Sequence, residues 1–312
     1  MRMMMVAAAA LLVVGCGGAG GSSGGGTVSG PPPSPTPTPT PSPSPSPAAL
    51  YTKIAEAAVP TKYSAICNDP RVGLRLLGLG DGVRLLGDLV NDVQIVESPW
   101  SGRLTFGAAD RTPGIDLPVR EYSLPFDGTE RTVLSLRPLR INQQLYDYVG
   151  RLDLYRRSTG GSDGYSYGCL YGAPTLTTDQ PTSVIQITGR VTGIASVTES
   201  PTVSRGYNMS ISESSIAFDP VQRQVTVSVT LKGTPTRDTN LPELSLGTFS
   251  QTIPLYEDAF YRDVPSGSTG QLQVSGTFFG PMFAETAVLF SITGQTPEKH
   301  SFSLIGQITG KR

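Results

Sequence analysis

The chain has 312 residues but only one histidine, one tryptophan and three cysteines. Each shortage closes off a chemistry. His300 has no second imidazole to work with, and in Glu298-Lys299-His300 it reads as a solvated turn residue ahead of the last strand rather than a general base. Without a Cys-x-x-Cys or any Cys/His cluster, neither a zinc site nor another metal or cofactor site is expected. Asp88, Asp92, Glu257 and Asp258 are carboxylates that nothing links into an acid/base pair. Charge of one sign is also lacking, with 24 basic against 25 acidic side chains and no block of either. Nucleic acid is therefore not an expected partner, because a phosphate-binding surface shows a clustered basic excess. Long helical periods are scarce, while 36 glycines and 27 prolines point to turns and strands. The chain reads as a non-enzyme.

What is present begins with a leader. Arg2 precedes the apolar run Val6–Val14, and Gly15-Cys16 closes it. The run is shorter than the roughly 20 residues a spanning helix needs and has the shape of a secretory signal. Gly15-Cys16 resembles the lipobox of bacterial lipoproteins, so residues 1–16 read as a lipoprotein signal peptide with Cys16 the first mature residue. Lipidation at Cys16 by acyl chains such as palmitate would anchor the protein, since two or three chains hold stably where one is marginal. An ordinary secretory leader would instead leave a soluble periplasmic protein. Residues 17–48 form a linker. It is Gly/Ser-rich to Gly30, then carries ten prolines among the 17 residues Pro31–Pro47. That second part predicts a semi-rigid polyproline spacer of about 50 Å. It serves as reach from the membrane or as a simple spacer.

Residues 49–173 read as a β-rich N-terminal region packed on the C-terminal part of the chain. Leu50, Ile54 and Ala57/Ala58 predict a short helix over 48–58, stopped before Pro60. Leu74–Gly78 and Val83–Gly87 are near-copies around Asp81-Gly82, either a hairpin or two pieces of a loop. Strands are expected at Val93–Val96, Arg103–Phe106, Val133–Leu136 and Asp147–Tyr155. Tyr146, Tyr148, Tyr155, Tyr165, Tyr167 and Tyr171 crowd one stretch, as a ligand platform or as cross-strand pairs. Gly160-Gly161-Ser162-Asp163-Gly164 matches the nucleophile-elbow pattern without the strand-to-helix context that motif needs, and reads as a turn. With Cys16 assigned to lipid, Cys67 and Cys169 remain as one pair in an oxidising compartment, either a disulfide or two separately buried thiols.

Residues 174–312 alternate apolar and polar side chains in segment after segment, the period of a half-buried strand. Val184–Val191, Val225–Leu231, Leu244–Ile253, Leu272–Phe279, Thr286–Thr293 and Phe302–Thr309, with shorter pieces at Gly206–Ile211 and Ser215–Phe218, make about eight strands. Eight suffice to close an antiparallel barrel filled by its own side chains. Their apolar faces are too short for a lipid-spanning barrel. The fold class is all-β, a C-terminal eight-stranded antiparallel barrel preceded by a β-rich region on a Pro-rich tether.

The hairpin Gln271–Thr293 carries a resemblance. Gly276, Phe278, Gly280, Pro281, Glu285 and Phe290 are similar to the signature of the C-terminal β-barrel in transferrin-binding protein B-like surface lipoproteins. Phe283 stands where that family has Ala, and Ala287-Val288 where it has a Gly pair. Tyr171-Gly172-Ala173-Pro174-Thr175, Pro181-Thr182, Thr188-Gly189 and Gly193 are similar to the family's approach to its first barrel strand. The likeness covers about Tyr167–Gly294. It implies an outer-membrane lipoprotein, displayed at the cell surface and binding a macromolecule without catalysis. The implied ligand is an iron carrier or haem protein, handed to an outer-membrane receptor. It also implies export by a surface lipoprotein translocon. Glu285 is then a motif carboxylate, or a structural acceptor for backbone donors bared at the Gly-Pro corner. A capture surface is sought in the loops Arg205–Asn208, Arg237–Leu241 and Tyr256–Arg262, with Tyr207, Tyr256, Phe260, Tyr261 and Arg262 as ligand-binding residues. Two rival readings are a periplasm-facing structural or adaptor lipoprotein and an envelope hydrolase using Ser162.

Overall fold

The computed structural model describes residues 51, 53–54, 61–67, 84–88, 93–98, 102–115, 119–128, 130–141, 143–158, 163–237, 240–264 and 268–312. Cys16, the leader, the linker and Ser162 lie outside them.

Two antiparallel sheets account for almost all of these residues. The first holds β1 (Thr61–Cys67), β2 (Arg84–Asp88), β3 (Val93–Ser98), β4 (Gly102–Phe106), β5 (Arg120–Pro125), β6 (Glu130–Ile141), β7 (Gln144–Ser158) and β8 (Asp163–Gly172). Their spatial order is β4-β3-β2-β1-β8-β7-β6-β5. Cys67 and Cys169 face each other across β1 and β8 and are joined in a disulfide, with Cα atoms 4.1 Å apart. One face of this sheet buries Leu134 and Leu136 of β6 and Leu152 and Leu154 of β7, together with Phe106 and Tyr122.

The second sheet is the barrel. It comprises β9 (Ile185–Ser200), β10 (Val203–Asn208), β11 (Glu213–Asp219), β12 (Gln224–Pro235), β13 (Leu244–Pro254), β14 (Ala259–Arg262), β15 (Gln273–Phe279), β16 (Glu285–Gln295) and β17 (Ser301–Lys311). β17 pairs with both β16 and β9, while β13 runs beside β12 and comes alongside β14 to close the ring. β10 and β11 lie in line. β10 pairs with Ile194–Ser200 of β9 and β11 with Ile185–Arg190 of the same strand, so together they fill one position between β9 and β12. Eight strand positions thus form, the eighth supplied by β14.

The alternation of β12 explains the barrel's inside and outside. Val225, Val227, Val229 and Leu231 point inward and are wholly buried. Thr226 and Thr230 point out and meet Thr252 and Thr248 of β13 at 2.9 and 2.8 Å, a hydroxyl ladder on the solvent side. Apolar inside and polar outside is the reverse of a lipid-facing barrel. Among the described residues no helix is long and apolar enough to cross a membrane. The interior at one end is filled by rings: Phe278 and Phe283 stack at 3.9 Å between centroids, and Phe218 lies 4.9 Å from Phe283. Gly276 has no side chain because Phe260 occupies the space, its ring 2.3 Å from where a Cβ would sit.

The barrel's outer wall turns apolar where the first sheet covers it. Phe279, Ala287 and Leu289 pack there against Ile66, Leu139, Tyr146, Val149 and Leu170.

Three expectations from the sequence are corrected. Tyr51, Lys53 and Ile54, the described residues of the expected helix over 48–58, are not helical. Tyr51 is instead buried in the first sheet's core, and the Ile54 N–H bonds to the Asp147 carbonyl at 2.8 Å, so tertiary docking wins over a short helical period. Arg84–Asp88 pairs with β1 and β3, and its near-copy Leu74–Gly78 lies outside the described residues. Tyr171 stands opposite Gly150 and Ala65, and its ring meets Tyr63 of the neighbouring strand β1 edge-on at 5.5 Å. Tyr146 and Tyr171 are core residues, which removes them from any surface platform.

Candidate binding surface

The Gly-Pro corner is where the two sheets join. Gly280 has φ 71°, a left-handed conformation that glycine alone takes without strain, and a Cβ there would lie 2.4 Å from the Tyr148 ring. Its N–H bonds to the Ala173 carbonyl at 3.0 Å, and the Thr175 hydroxyl donates to the Gly280 carbonyl at 2.6 Å. The two stretches that carried the family resemblance are therefore hydrogen-bonded to each other.

Glu285 begins β16 and is fully buried. Its Oε1 accepts from the Asp147 N–H at 2.8 Å, and its Oε2 accepts from the N–H groups of Tyr148 at 2.8 Å and Val149 at 2.9 Å. Lys311 approaches Oε1 at 3.4 Å and Asp147 at 3.0 Å. The carboxylate is a structural acceptor, but its backbone donors belong to β7 of the other sheet, not to the Gly-Pro corner. Burial pushes its carboxyl above the usual carboxylate range, against the pull of these N–H groups and Lys311. For Asp147, burial pulls upward too, but Lys311 and Lys53 outweigh it and hold the group below its ordinary value.

Around this brace the turns at one end of the barrel expose large side chains. Tyr256 and Tyr261 are 55% and 42% exposed, with their rings 5.8 Å apart. Leu176 and Met282 are similarly open, at 44% and 40%. The segment carrying Leu176 bridges the group. Asp179 accepts from the Met282 N–H at 3.3 Å, and the Gln180 side chain donates to the Glu257 carbonyl. The Leu176 N–H bonds to the Tyr51 hydroxyl at 2.8 Å. Burial pushes Tyr51 up to about 12, so this phenol stays protonated. The backbone here is strained: Glu257, Met282 and Phe283 have φ of 55°, 52° and 58°. Non-glycine residues rarely take such angles, and they collect where a surface is held in one shape for use. Aromatic and methionine side chains held open on rigid turns are what interfaces favour.

The other residues expected to bind ligand divide. Phe260 is fully buried and Tyr207 is 6% exposed, both inside the barrel core, so neither reaches a ligand. Arg262 is exposed on β14 beside Tyr261, and Arg237 is exposed on its loop. Met282 and Leu176 were not anticipated. A methionine after Gly-Pro was the available signal. Asp258 accepts from the Thr277 hydroxyl at 3.1 Å, and burial raises its pKa. His300 sits in the β16–β17 turn, its N–H bonded to the Thr296 hydroxyl at 3.3 Å. The chain after Gly160–Gly164 enters a strand, β8, where a nucleophile elbow requires a helix. No group of three His, Cys, Asp or Glu able to hold a metal occurs among the described residues. A polar cleft of about 560 Å³ lies between the β6–β7 turn and the barrel, lined by Gln144, Tyr146, Arg190, Glu213, Ser214 and Lys311 among others.

Fold and surface together define a barrel that carries a second antiparallel sheet on its outer wall and exposes an aromatic patch beside their junction. The chain is similar to solved structures of transferrin-binding protein B and of other surface lipoproteins. Transferrin-binding protein B from Haemophilus parasuis Hp5, as a double mutant, is 14% identical with a TM-score of 0.41, over 80% of this chain and 44% of that one. HpuA from Kingella denitrificans, solved in complex with human haemoglobin, is 10% identical with a TM-score of 0.32, over 86% and 92%. The N-lobe of lactoferrin-binding protein B from Moraxella bovis is 11% identical with a TM-score of 0.30, over 81% and 100%. The chain spans less than half the length of the transferrin-binding proteins it matches. At these TM-scores the likeness decides nothing about ligand. No protein-family model and no curated protein sequence matches the chain.

Proposed function

We propose that this chain is a lipoprotein of the Gram-negative outer membrane that displays its barrel at the cell surface and captures a macromolecular ligand without chemistry on it. The observation that carries the reading is the exposed set Leu176, Tyr256, Tyr261 and Met282 near the Glu285 brace, with strained backbone at Glu257 and Met282. Rigid aromatic side chains give large contact area at low entropic cost, and a few such anchors dominate protein interfaces. The leader ending in Cys16 and the proline spacer support anchoring and reach. In this reading residues 17–48 are the tether, residues 49–173 the supporting sheet and residues 174–312 the capture barrel. The ligand is an iron carrier or haem protein, passed to an outer-membrane receptor, and a surface lipoprotein translocon exports the chain.

Immobilised protein is exposed in turn to transferrin, lactoferrin and haemoglobin. The reading predicts saturable binding of one of them that Tyr256→Ala/Tyr261→Ala weakens by at least tenfold, about 1.4 kcal/mol, while the fold is unchanged by circular dichroism. Binding of none of the three overturns the iron-protein assignment, and binding indifferent to the double substitution overturns the placement of the surface.

A further inference from the structure

The face of the first sheet that packs on the barrel does not end at the contact. Leu139 of β6 and Val149 of β7 lie against Ala287 and Leu289. Two residues further on, the same face carries Arg137 and Arg151, which stand directly opposite each other, and at its far end Arg131 opposite Arg157. Like charges directly across a strand pair destabilise a sheet, so two such pairs on one face call for a reason.

Their local partners do not neutralise them evenly. Arg137 and Arg151 share one carboxylate: Asp153, nearly buried, takes Arg137 Nη2 on Oδ2 at 3.0 Å and Arg151 Nε on Oδ1 at 3.0 Å. Two guanidiniums against one carboxylate leave a surplus positive charge, and the two arginines stay 48% and 51% exposed. Arg157 has Glu121 at 3.8 Å. Arg131, exposed, is held by neutral groups, the Ser123 hydroxyl and carbonyl at 2.5 and 2.7 Å. The face therefore has two cationic points, Arg131 and the Arg137/Arg151 pair, six residues apart along β6, or about 20 Å at the rise of a strand.

We infer that this face docks an extended acidic segment of a partner protein, with carboxylates six positions apart meeting Arg131 and the Arg137/Arg151 pair. The occupant follows from the chemistry. The guanidinium fork matches carboxylates, and carboxylates are what Arg137, Arg151 and Arg157 already hold. Asp153 and Glu121, set between the cationic points, repel an evenly charged polymer such as a sulfated glycan. An extended chain has the same rise per residue as β6, so its side chains on one face keep the register. The inference is independent of the aromatic patch and of the ligand captured there.

The test uses the full chain and a fluorescein-labelled, capped peptide of neutral residues with two glutamates six positions apart, read by fluorescence anisotropy. A control peptide has its glutamates three apart, and heparin is the competing polyanion. The six-apart peptide is expected to bind about threefold to fivefold tighter than the control, Arg131→Gln to remove that advantage, and added salt to weaken binding. Arg137→Gln/Arg151→Gln should act likewise; because it strands Asp153 and could unfold the sheet, Arg131→Gln carries the decision. Equal affinity for the two peptides, no binding at millimolar peptide, or an affinity untouched by Arg131→Gln overturns the proposal. Heparin binding tighter than the six-apart peptide overturns it in favour of a sulfated glycan.

Discussion

Replacing Glu285 tests whether one side chain ties the two sheets together. Three backbone N–H groups of β7 have this carboxylate as acceptor, and Lys311 lies 3.4 Å from it. Glu285→Ala strands all three donors and leaves the partly exposed Lys311 to Asp147 alone, at a cost of about 3–5 kcal/mol for the three unmet donors together. Glu285→Gln keeps one oxygen for Tyr148 and Val149 but turns an amide N–H₂ toward the Asp147 N–H, so one donor goes unmet at a cost of about 1–3 kcal/mol. With roughly 2–4 °C per kcal/mol for a domain of this size, the alanine variant should melt about 6–20 °C below the wild type. The glutamine variant should fall between them. Urea unfolding followed by tyrosine fluorescence gives the free energies. If both variants lie within about 0.5 kcal/mol of wild type, the range of an ordinary surface change, the brace is not holding the sheets.

Other consequences are as direct. Reducing Cys67–Cys169, or replacing both by serine, should lower stability by about 2–5 kcal/mol, because 102 residues separate the two in sequence and the unfolded loop is released; calorimetry in the presence and absence of reductant reads this. Phe283→Ala, which empties a fully buried ring site stacked on Phe278, should cost about 3–5 kcal/mol. Its exposed neighbour Met282 changed to Ala should stay within about 0.5 kcal/mol in the same denaturation series. Asp147, held below its ordinary pKa by Lys311 and Lys53, contributes stability that is present above about pH 4 and fades as acid passes its folded value. Melting temperatures of wild type and Lys311→Met should therefore converge as pH is lowered from 5 toward 2, and parallel curves would count against the pairing.

β9, β11 and β12 were legible because their burial alternates between two faces. In Val225–Leu231 every second residue is apolar, and the structure buries each of them. β14 is not legible because four residues are too few to establish a period, and here two buried residues precede two exposed ones. β10 and β11 read as two strands, since nothing local says that they share one position beside β9. Glu285 shows the limit most clearly. Its place after a Gly-Pro corner singles the residue out, yet its donors lie more than 130 residues earlier. Such a pairing depends on how two sheets cross, which no local pattern encodes. The ligand residues divided for the same kind of reason: composition marked Tyr256–Arg262 as a mixed aromatic and charged loop, but Phe260 fills the space beside Gly276 in the barrel core while Tyr261 stays outside.

Surface capture requires that this barrel be displayed to the outside. Intact cells treated with proteinase K and blotted for this chain, beside a periplasmic protein that stays whole while the outer membrane is closed, test that claim most directly. Loss of the full-length band with the periplasmic control intact is the predicted result. Full protection would contradict surface capture and turn the aromatic patch and the arginine face toward partners inside the periplasm.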